Sequence, residues 1–442
     1  MTHSANTARR HPAGEKNGSG RALLWLPLDN SAKIYPAARS QKWSNVFRLS
    51  ATLKEAIDVA VMQEALDVTV RRFPSMAVRL RRGFFWYYLE QLEQAPEIRS
   101  EHSCPLVKMS RAETRRCAFR VIVYGKRVAV EMFHALTDGN GALVFLKTLV
   151  AEYLLQKYGV RVPAEAGVLD RMETPSREEL EDSFLKFAGP VPASRRATNA
   201  WRITGTPEPE DFRHVTCLQL PVDVLLKKAK AQGVTATAYL CAVMMLAIQE
   251  LQTRKLPQRR RRPVKVLIPV NLRKLFGSST LRNFVLYVTP EIDPRQGHYS
   301  FEEICRVVHH HMGAEITRKK MAAMIAANVG SEVNPLVRAV PLFLKNPIMK
   351  AVFQAVGERK SCLSLSNLGA VQVPREMAPW LERLDFILGV QHSAPYNCGV
   401  ISWDNILYLN FIRNIRVPEL EYAFYRVLRG LEIPVTVESN GK

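Results

Sequence analysis

Phe133-His134-Ala135-Leu136-Thr137-Asp138-Gly139 lies where the periodicity of the chain changes. Upstream, residues 117–123 and 127–133 are two strand-like runs joined at Tyr124-Gly125-Lys126, a hairpin signal. Downstream, Leu143, Leu146, Val150 and Leu154 recur at helical spacing until Gly159, a C-cap signal. The local unit is strand, turn, strand, loop, helix, and the heptapeptide is the loop at the strand's end.

A neutral imidazole can take a proton from a hydroxyl or an amine near neutral pH. General-base help of this kind is worth about 10²–10⁴-fold in rate. Ala135 is small and Gly139 has no side chain, which leaves room for a substrate beside His134. Gly139 also permits a sharp turn into the helix. The same string has a purely structural account. Asp138 or Asn140 is placed to N-cap the following helix, worth about 1 kcal/mol, and His134 is then an ordinary loop histidine.

Outward from this unit, the pattern divides the chain. Residues 1–21 are small, polar and basic and read as a disordered tail. Residues 22–175 form a first α/β half that carries the His134 string. Residues 176–211, rich in Pro and Glu, read as a linker or crossover. Residues 212–442 form a second α/β half. Within the first half, helical spacing over 53–73 ends at Pro74, and strand-like runs at 77–80 and 84–89 flank Arg81-Arg82-Gly83. In the second, strands are expected at 215–220, 264–270, 362–365, 386–390, 399–401 and 407–412. Helices are expected from Pro221 and Thr235 and over 301–328, 335–356 and 419–431. The fold class is α/β with mixed sheets.

Composition narrows the function classes. The 442 residues are 47% hydrophobic and 23% charged, a globular balance. Seven scattered cysteines with no C-x-x-C pair argue for a reducing compartment and against a zinc ribbon. The polar N-terminus lacks the apolar core of a signal peptide, and the apolar stretch 236–248 falls short of the roughly 20 residues a membrane span needs. A cytoplasmic chain without a membrane span, working as a monomer, is expected. The net charge of +21 favours an anionic partner without choosing one. The densest basic run, Arg254-Lys255 and Arg259 to Arg262, fits either a solvated loop before a strand or an anion-docking patch. His309-His310-His311 cannot form one metal site on a helix, because consecutive side chains project about 100° apart, so no metal is expected. Phe84, Phe85, Trp86, Tyr87 and Tyr88 beside Arg81-Arg82 read as strand core with a basic edge rather than a base-stacking surface, and no nucleic-acid partner is expected. There is no P-loop, no dinucleotide fingerprint and no serine nucleophile elbow.

H-x-x-x-D-G at a strand-to-helix junction resembles the chloramphenicol acetyltransferase-like superfamily, which includes alcohol acetyltransferases, plant-type BAHD and polyketide-associated acyltransferases, and peptide-synthetase condensation domains. Pro269-Val270-Asn271-Leu272-Arg273-Lys274-Leu275-Phe276 and Leu281-Arg282-Asn283-Phe284 are similar to the strand and loop by which the family's second half reaches the site. Ser364-Leu365-Ser366-Asn367-Leu368-Gly369 is similar to its late S-N-L-G turn. The resemblance covers nearly the whole chain after residue 22. It implies two chloramphenicol acetyltransferase-like domains forming a pseudo-dimer, with a tunnel between them that admits the acyl thioester from one face and the acceptor from the other.

Within that resemblance, His134 is the general base and no covalent acyl-enzyme forms. Asp138 and Gly139 structure the loop, with Arg273 as the partner of the aspartate. Ser366, Asn367 and Asn271 are candidate oxyanion or substrate-binding groups, and equally candidate turn residues. The co-substrate is acyl-CoA, in the simplest case acetyl-CoA, and the acceptor a small-molecule alcohol or amine. The sequence also departs from family patterns. The doubled histidine of condensation domains is Phe133-His134 here, and Asp385-Phe386-Ile387-Leu388-Gly389 lacks the Trp of the BAHD D-F-G-W-G string. A free-standing acyl-CoA-dependent O- or N-acyltransferase fits best. The alternatives are a condensation-type domain served by an acyl carrier protein, and a non-enzymatic binder of an anionic polymer.

Overall fold

The computed structural model describes residues 24–38, 45–101, 104–192, 198–209, 212–352, 360–390 and 394–441. The tail expected over 1–21 lies outside them.

Two large sheets organise the chain. The first has five strands in the order Leu381–Ile387, Val46–Leu53, Arg127–Phe133, Phe119–Tyr124 and Arg99–Ser100. Arg127–Phe133 is central, with Val130 opposite Leu49 on one side and Val121 on the other. Its edge strand comes from the second half: Leu384 lies opposite Ala51 and Phe386 opposite Leu49. The second sheet runs Val285–Val288, Val264–Asn271, Leu363–Ala370, Tyr396–Trp403, Ile406–Arg413, His214–Pro221 and Thr436–Ser439, with Glu291–Ile292 also on Val264–Asn271. It is mixed. Leu363–Ala370 is parallel to both neighbours, and the other pairs are antiparallel. A small third sheet joins Trp25–Pro27, Tyr87–Gln91 and Val78–Arg82.

Each large sheet is covered by a long helix that is apolar nearly all round, the pattern of an element with no solvent face. Gly139–Tyr158 is buried from Gly141 to Leu154 at all but Val144 and packs against helix Val59–Arg72. It stops at Gly159, which takes the left-handed conformation (φ 70°) that glycine adopts without steric cost. Ala236–Lys255 plays the same part in the second half, with Thr235 Oγ1 accepting from the Ala238 amide at 3.2 Å as N-cap.

Several expected elements differ in the structure, each for a local reason. The helical stretch 301–328 is two helices, Phe301–Glu315 and Arg318–Val333, because Thr317 is extended and caps the second through the Lys320 amide. The stretch 335–356 divides at Pro341 into Pro335–Ala339 and Leu342–Val352, and its last four residues lie outside the described ones. The S-N-L-G string is strand rather than turn: it ends Leu363–Ala370, with its register shifting between Asn367 and Ala370 and Gly369 at φ 77°. Phe84 and Phe85 are not core. They sit 67% and 43% exposed at the tip between strands Val78–Arg82 and Tyr87–Gln91, where the Gly83 amide donates to Trp86 O at 2.9 Å.

Candidate active site

His134 leaves the central strand of the first sheet just after Phe133, and its amide donates to Asn45 O at 2.8 Å. Its half-buried ring lies between two aromatics. Tyr35 stacks on it at 4.8 Å between centroids (24°), and Phe47 meets it edge-on at 5.0 Å (63°). Burial, with Asp29 and Asp138 nearby, raises the Tyr35 phenol well above its ordinary value, so it stays neutral.

The imidazole orientation is set from the other half of the chain. Nδ1 is 3.0 Å from Asn283 Oδ1. Asn283 Nδ2 donates both to Asp29 Oδ2 and to the His134 carbonyl, each at 3.0 Å. Asp29 is fully buried and held by the Ser31 hydroxyl (2.9 Å) and the Ala32 amide (2.7 Å) on Oδ1. Both amide hydrogens of Asn283 therefore have acceptors, and the side-chain oxygen faces the ring. An acceptor facing Nδ1 requires Nδ1 to carry the hydrogen, which leaves the lone pair of the neutral ring on Nε2.

Asp138, 3% exposed, serves two structures at once. Oδ1 caps helix Gly139–Tyr158 by accepting from the Asn140 and Gly141 amides at 3.1 and 3.2 Å. Oδ2 accepts from Arg273 Nη1 and from the Phe284 amide, each at 2.9 Å. Arg273 spends its other nitrogens on Thr280 O (2.7 Å) and Arg282 O (2.6 Å), so one guanidinium gathers the whole 280–284 loop around the aspartate. Thr137 adds a further tie, its hydroxyl donating to Leu281 O at 2.6 Å. The seam between the halves is thus stitched within a few residues of His134.

The glycines divide the steric roles differently from the reading of the sequence. Gly139 is not in the left-handed region, so no turn demands it; its missing side chain leaves room for Leu368 and Phe386, which a Cβ would meet at 3.0 and 3.3 Å. Gly141 is the constrained one. A Cβ there would lie 2.1 Å from Thr137 Oγ1 and 2.4 Å from Leu281 O.

Of the other singled-out residues, Asn271 turns its oxygen on the Arg273 amide (3.1 Å) and on Arg273 Nη1 (3.2 Å), a loop-holding role. Asn367 donates to Thr237 Oγ1 at 3.0 Å and accepts from the Gly369 amide at 2.8 Å, tying its strand to the start of helix Ala236–Lys255. The Ser366 hydroxyl makes no hydrogen bond to a described residue, and this strand reaches the site through Leu368 beside Gly139. The basic run lies at the other end of helix Ala236–Lys255, where Arg259 to Arg262 line an open cleft of about 1050 Å³ with Trp201. Asn283, Asp29 and Tyr35 were not singled out as site residues by the sequence. Only Asn283 had a signal, the L-R-N-F string, and it came without a role.

No family model matches this sequence, and no curated protein matches it. Solved structures do. The acetyltransferase TRI101 of Fusarium sporotrichioides, solved with coenzyme A and T-2, superposes with a TM-score of 0.62 at 10% identity, over 95% of this chain and all of that one. The trichothecene 15-O-acetyltransferase TRI3 of the same fungus gives 0.60 at 14% identity, over 94% of this chain and 96% of that one. The first condensation domain of the CDA synthetase gives 0.57 at 14% identity, over 93% and 99%. The chain has the chloramphenicol acetyltransferase-like fold that these acetyltransferases and condensation domains share.

Proposed function

We propose that this chain is an acyltransferase that moves an acyl group from a coenzyme A thioester to a small alcohol or amine, with His134 as general base. The observation that carries the reading is the hydrogen bond between Asn283 Oδ1 and His134 Nδ1, which leaves Nε2 as the basic nitrogen of a half-buried ring. The fold it shares with coenzyme A-bound acetyltransferases supports the choice of donor.

In this mechanism the thioester and the acceptor meet beside Nε2 at the seam. Nε2 takes the proton of the acceptor O–H or N–H as its heteroatom attacks the thioester carbonyl. The C=O electrons move onto oxygen, and the tetrahedral oxyanion collapses with cleavage of the C–S bond. The departing coenzyme A sulfur takes the proton back from Nε2–H, so the enzyme ends as it began, with no acyl group attached. The partner ring of Tyr35 keeps the imidazole flat against the wall, and Asn283 supports the positive charge on the protonated ring through Nδ1–H. For the oxyanion, a donor about 3 Å from the developing charge is required; the uncommitted Ser366 hydroxyl is the group we assign.

The condensation-type reading is less favoured, because the position of the first histidine of a doubled pair is Phe133, whose side chain is fully buried in the first core. The test is thiol release from a panel of acyl-CoA donors against varied alcohols and amines, with the same acyl group offered on a carrier protein. Acceptor-dependent release from free acyl-CoA is expected. Release only from the carrier-bound acyl group would move the function to the condensation class, and release that no acceptor accelerates would remove acyl transfer altogether.

A further inference from the structure

The tip of the small sheet and helix Leu342–Val352 form one exposed apolar face. The Leu342 amide donates to Phe84 O at 2.8 Å, Lys345 Nζ donates to Phe85 O at 3.2 Å, and Asn346 Nδ2 donates to Tyr87 Oη at 3.1 Å. The Lys345 ammonium also sits 3.7 Å from the centroid of the Trp86 ring, which pins the helix to the tip. With the polar bonds turned inward, the outer surface carries Phe84, Phe85, Phe343, Leu344 and Ile348, all exposed. At about 100° per residue, 343, 344 and 348 fall on one side of the helix. Single exposed apolar residues need no explanation, but a contiguous group of this size marks a contact surface.

Among the described residues, the unpaired charge around it is of one sign. Arg82 and Arg338 are exposed and Lys350 is half-exposed, and none of the three is paired with a carboxylate among the described residues. The carboxylates bonded to this part of the molecule are already spent, Glu90 on Arg79 and Arg81, and Glu332 on Lys33. No single helix among the described residues is long and apolar enough to cross a membrane. Aromatic and aliphatic side chains standing out of a basic rim suit the boundary between lipid headgroups and acyl chains, with the cations on the headgroup phosphates.

We propose that this face docks the protein reversibly on an anionic lipid surface, with Phe84, Phe85, Phe343, Leu344 and Ile348 entering the interface and Arg82, Arg338 and Lys350 on its phosphates. Helix Leu342–Val352 packs against helix Ile34–Ala38, whose Tyr35 stacks on His134, so the docked face adjoins the wall of the candidate site. If the acyl-transfer reading holds, an acceptor dissolved in the lipid would be presented at that wall; the docking itself does not depend on it.

The test is co-sedimentation of the full chain with phosphatidylcholine vesicles, with and without phosphatidylglycerol. The wild type is expected to bind the anionic vesicles about a hundredfold more tightly than the neutral ones, from three paired cations. The triple variant Phe84→Ser/Phe343→Ser/Ile348→Ser is expected to lose binding to both. The triple variant Arg82→Gln/Arg338→Gln/Lys350→Gln is expected to lose the anionic preference, and both should keep the wild-type thermal midpoint, since none of the side chains changed is buried. A wild type that ignores anionic vesicles, or variants that bind as well as it does, would overturn the proposal. So would a wild-type dimer that the apolar variant converts to monomer, because the face would then be covered by a second copy. Vesicle binding is read without turnover, so it stands or falls apart from the acyl-transfer proposal.

Discussion

Asn283 and His134, 149 residues apart in sequence, hold each other twice: oxygen to Nδ1 and amide nitrogen to the His134 carbonyl, both at 3.0 Å. The first bond chooses the tautomer and the second fixes the ring's own backbone, so a single asparagine from the second half sets the direction of Nε2 and leaves its lone pair free. In the proposed mechanism Asn283 is a positioning residue, and its substitutions should separate orientation from charge. Asn283→Ala is expected to lower the rate of acyl transfer about 10- to 100-fold, part of what a well-placed base contributes. Asn283→Asp sets a carboxylate against Nδ1, which favours the protonated ring; the acidic limb of the kcat/KM profile should move to higher pH. A pH–rate profile unchanged in both variants would remove Asn283 from the mechanism.

The Asp138–Arg273 pair should behave as a structural bond with a catalytic consequence. Its carboxylate is buried and its guanidinium holds three carbonyl or carboxylate oxygens around the 280–284 loop. Removing one partner of such a pair leaves a buried charge, a loss of about 3–5 kcal/mol. Arg273→Ala should therefore lower the thermal midpoint by several degrees and slow turnover, because the loop that carries Asn283 loosens. Calorimetry showing an unchanged midpoint would mean that the pair contributes little.

The two glycines of the loop should differ. Gly141→Ala forces a Cβ onto Thr137 Oγ1 and the backbone oxygen of Leu281, so the seam must open; overpacking of this kind costs about 1–3 kcal/mol. Gly139→Ala meets only the ends of Leu368 and Phe386, at 3.0 and 3.3 Å, which can give by a few tenths of an ångström, so its cost should be the smaller. Thermal unfolding of the two alanine variants side by side distinguishes them, and equal midpoints would contradict the steric argument.

Stability should also depend on pH through Asp182, beside the Asp29 loop, whose carboxyl burial pushes up to about 6, with Asp29 adding repulsion. The native state then holds the proton more tightly than the unfolded chain, where an aspartate titrates near 3.9. The contribution is fully present below about pH 4 and is lost as pH rises through about 6, in all about 2–3 kcal/mol. Asp182→Asn removes the titration but keeps an acceptor for only one of the two amides, which donate to different oxygens (Asn30 to Oδ2, Phe184 to Oδ1), so its midpoint should lie lower overall and run flat between pH 4 and 7. A wild type whose midpoint does not fall over that range would contradict the assignment.

What could be read from the sequence follows from how far each interaction reaches along the chain. The strand, loop and helix around His134 are legible because hairpin, periodicity and caps all act over a few residues, and the Asp138 cap is one of them. Arg273 opposite Asp138 came from resemblance, since no local rule spans the 135 residues between them. Asn283 and Asp29 were not legible as site residues: their bond joins positions 254 apart, and neither carries a periodic signal. The strand expected over 386–390 lies earlier, at Leu381–Ile387, and nothing in its own sequence sends it to the edge of the first sheet. Phe84 and Phe85 depart from the expected strand because an apolar run predicts a strand without saying where the chain turns, and here it turns on the two phenylalanines themselves.

The most direct measurement compares wild type and His134→Ala in acceptor-dependent thiol release from acyl-CoA, with the thermal midpoint of each recorded alongside. The ring is half-buried and its backbone amide bond to Asn45 survives the change, so the fold should hold. A loss of about 10²–10⁴-fold in rate with a nearly unchanged midpoint is the expected result. A variant that transfers acyl groups as fast as the wild type would contradict the assignment of His134 as the base.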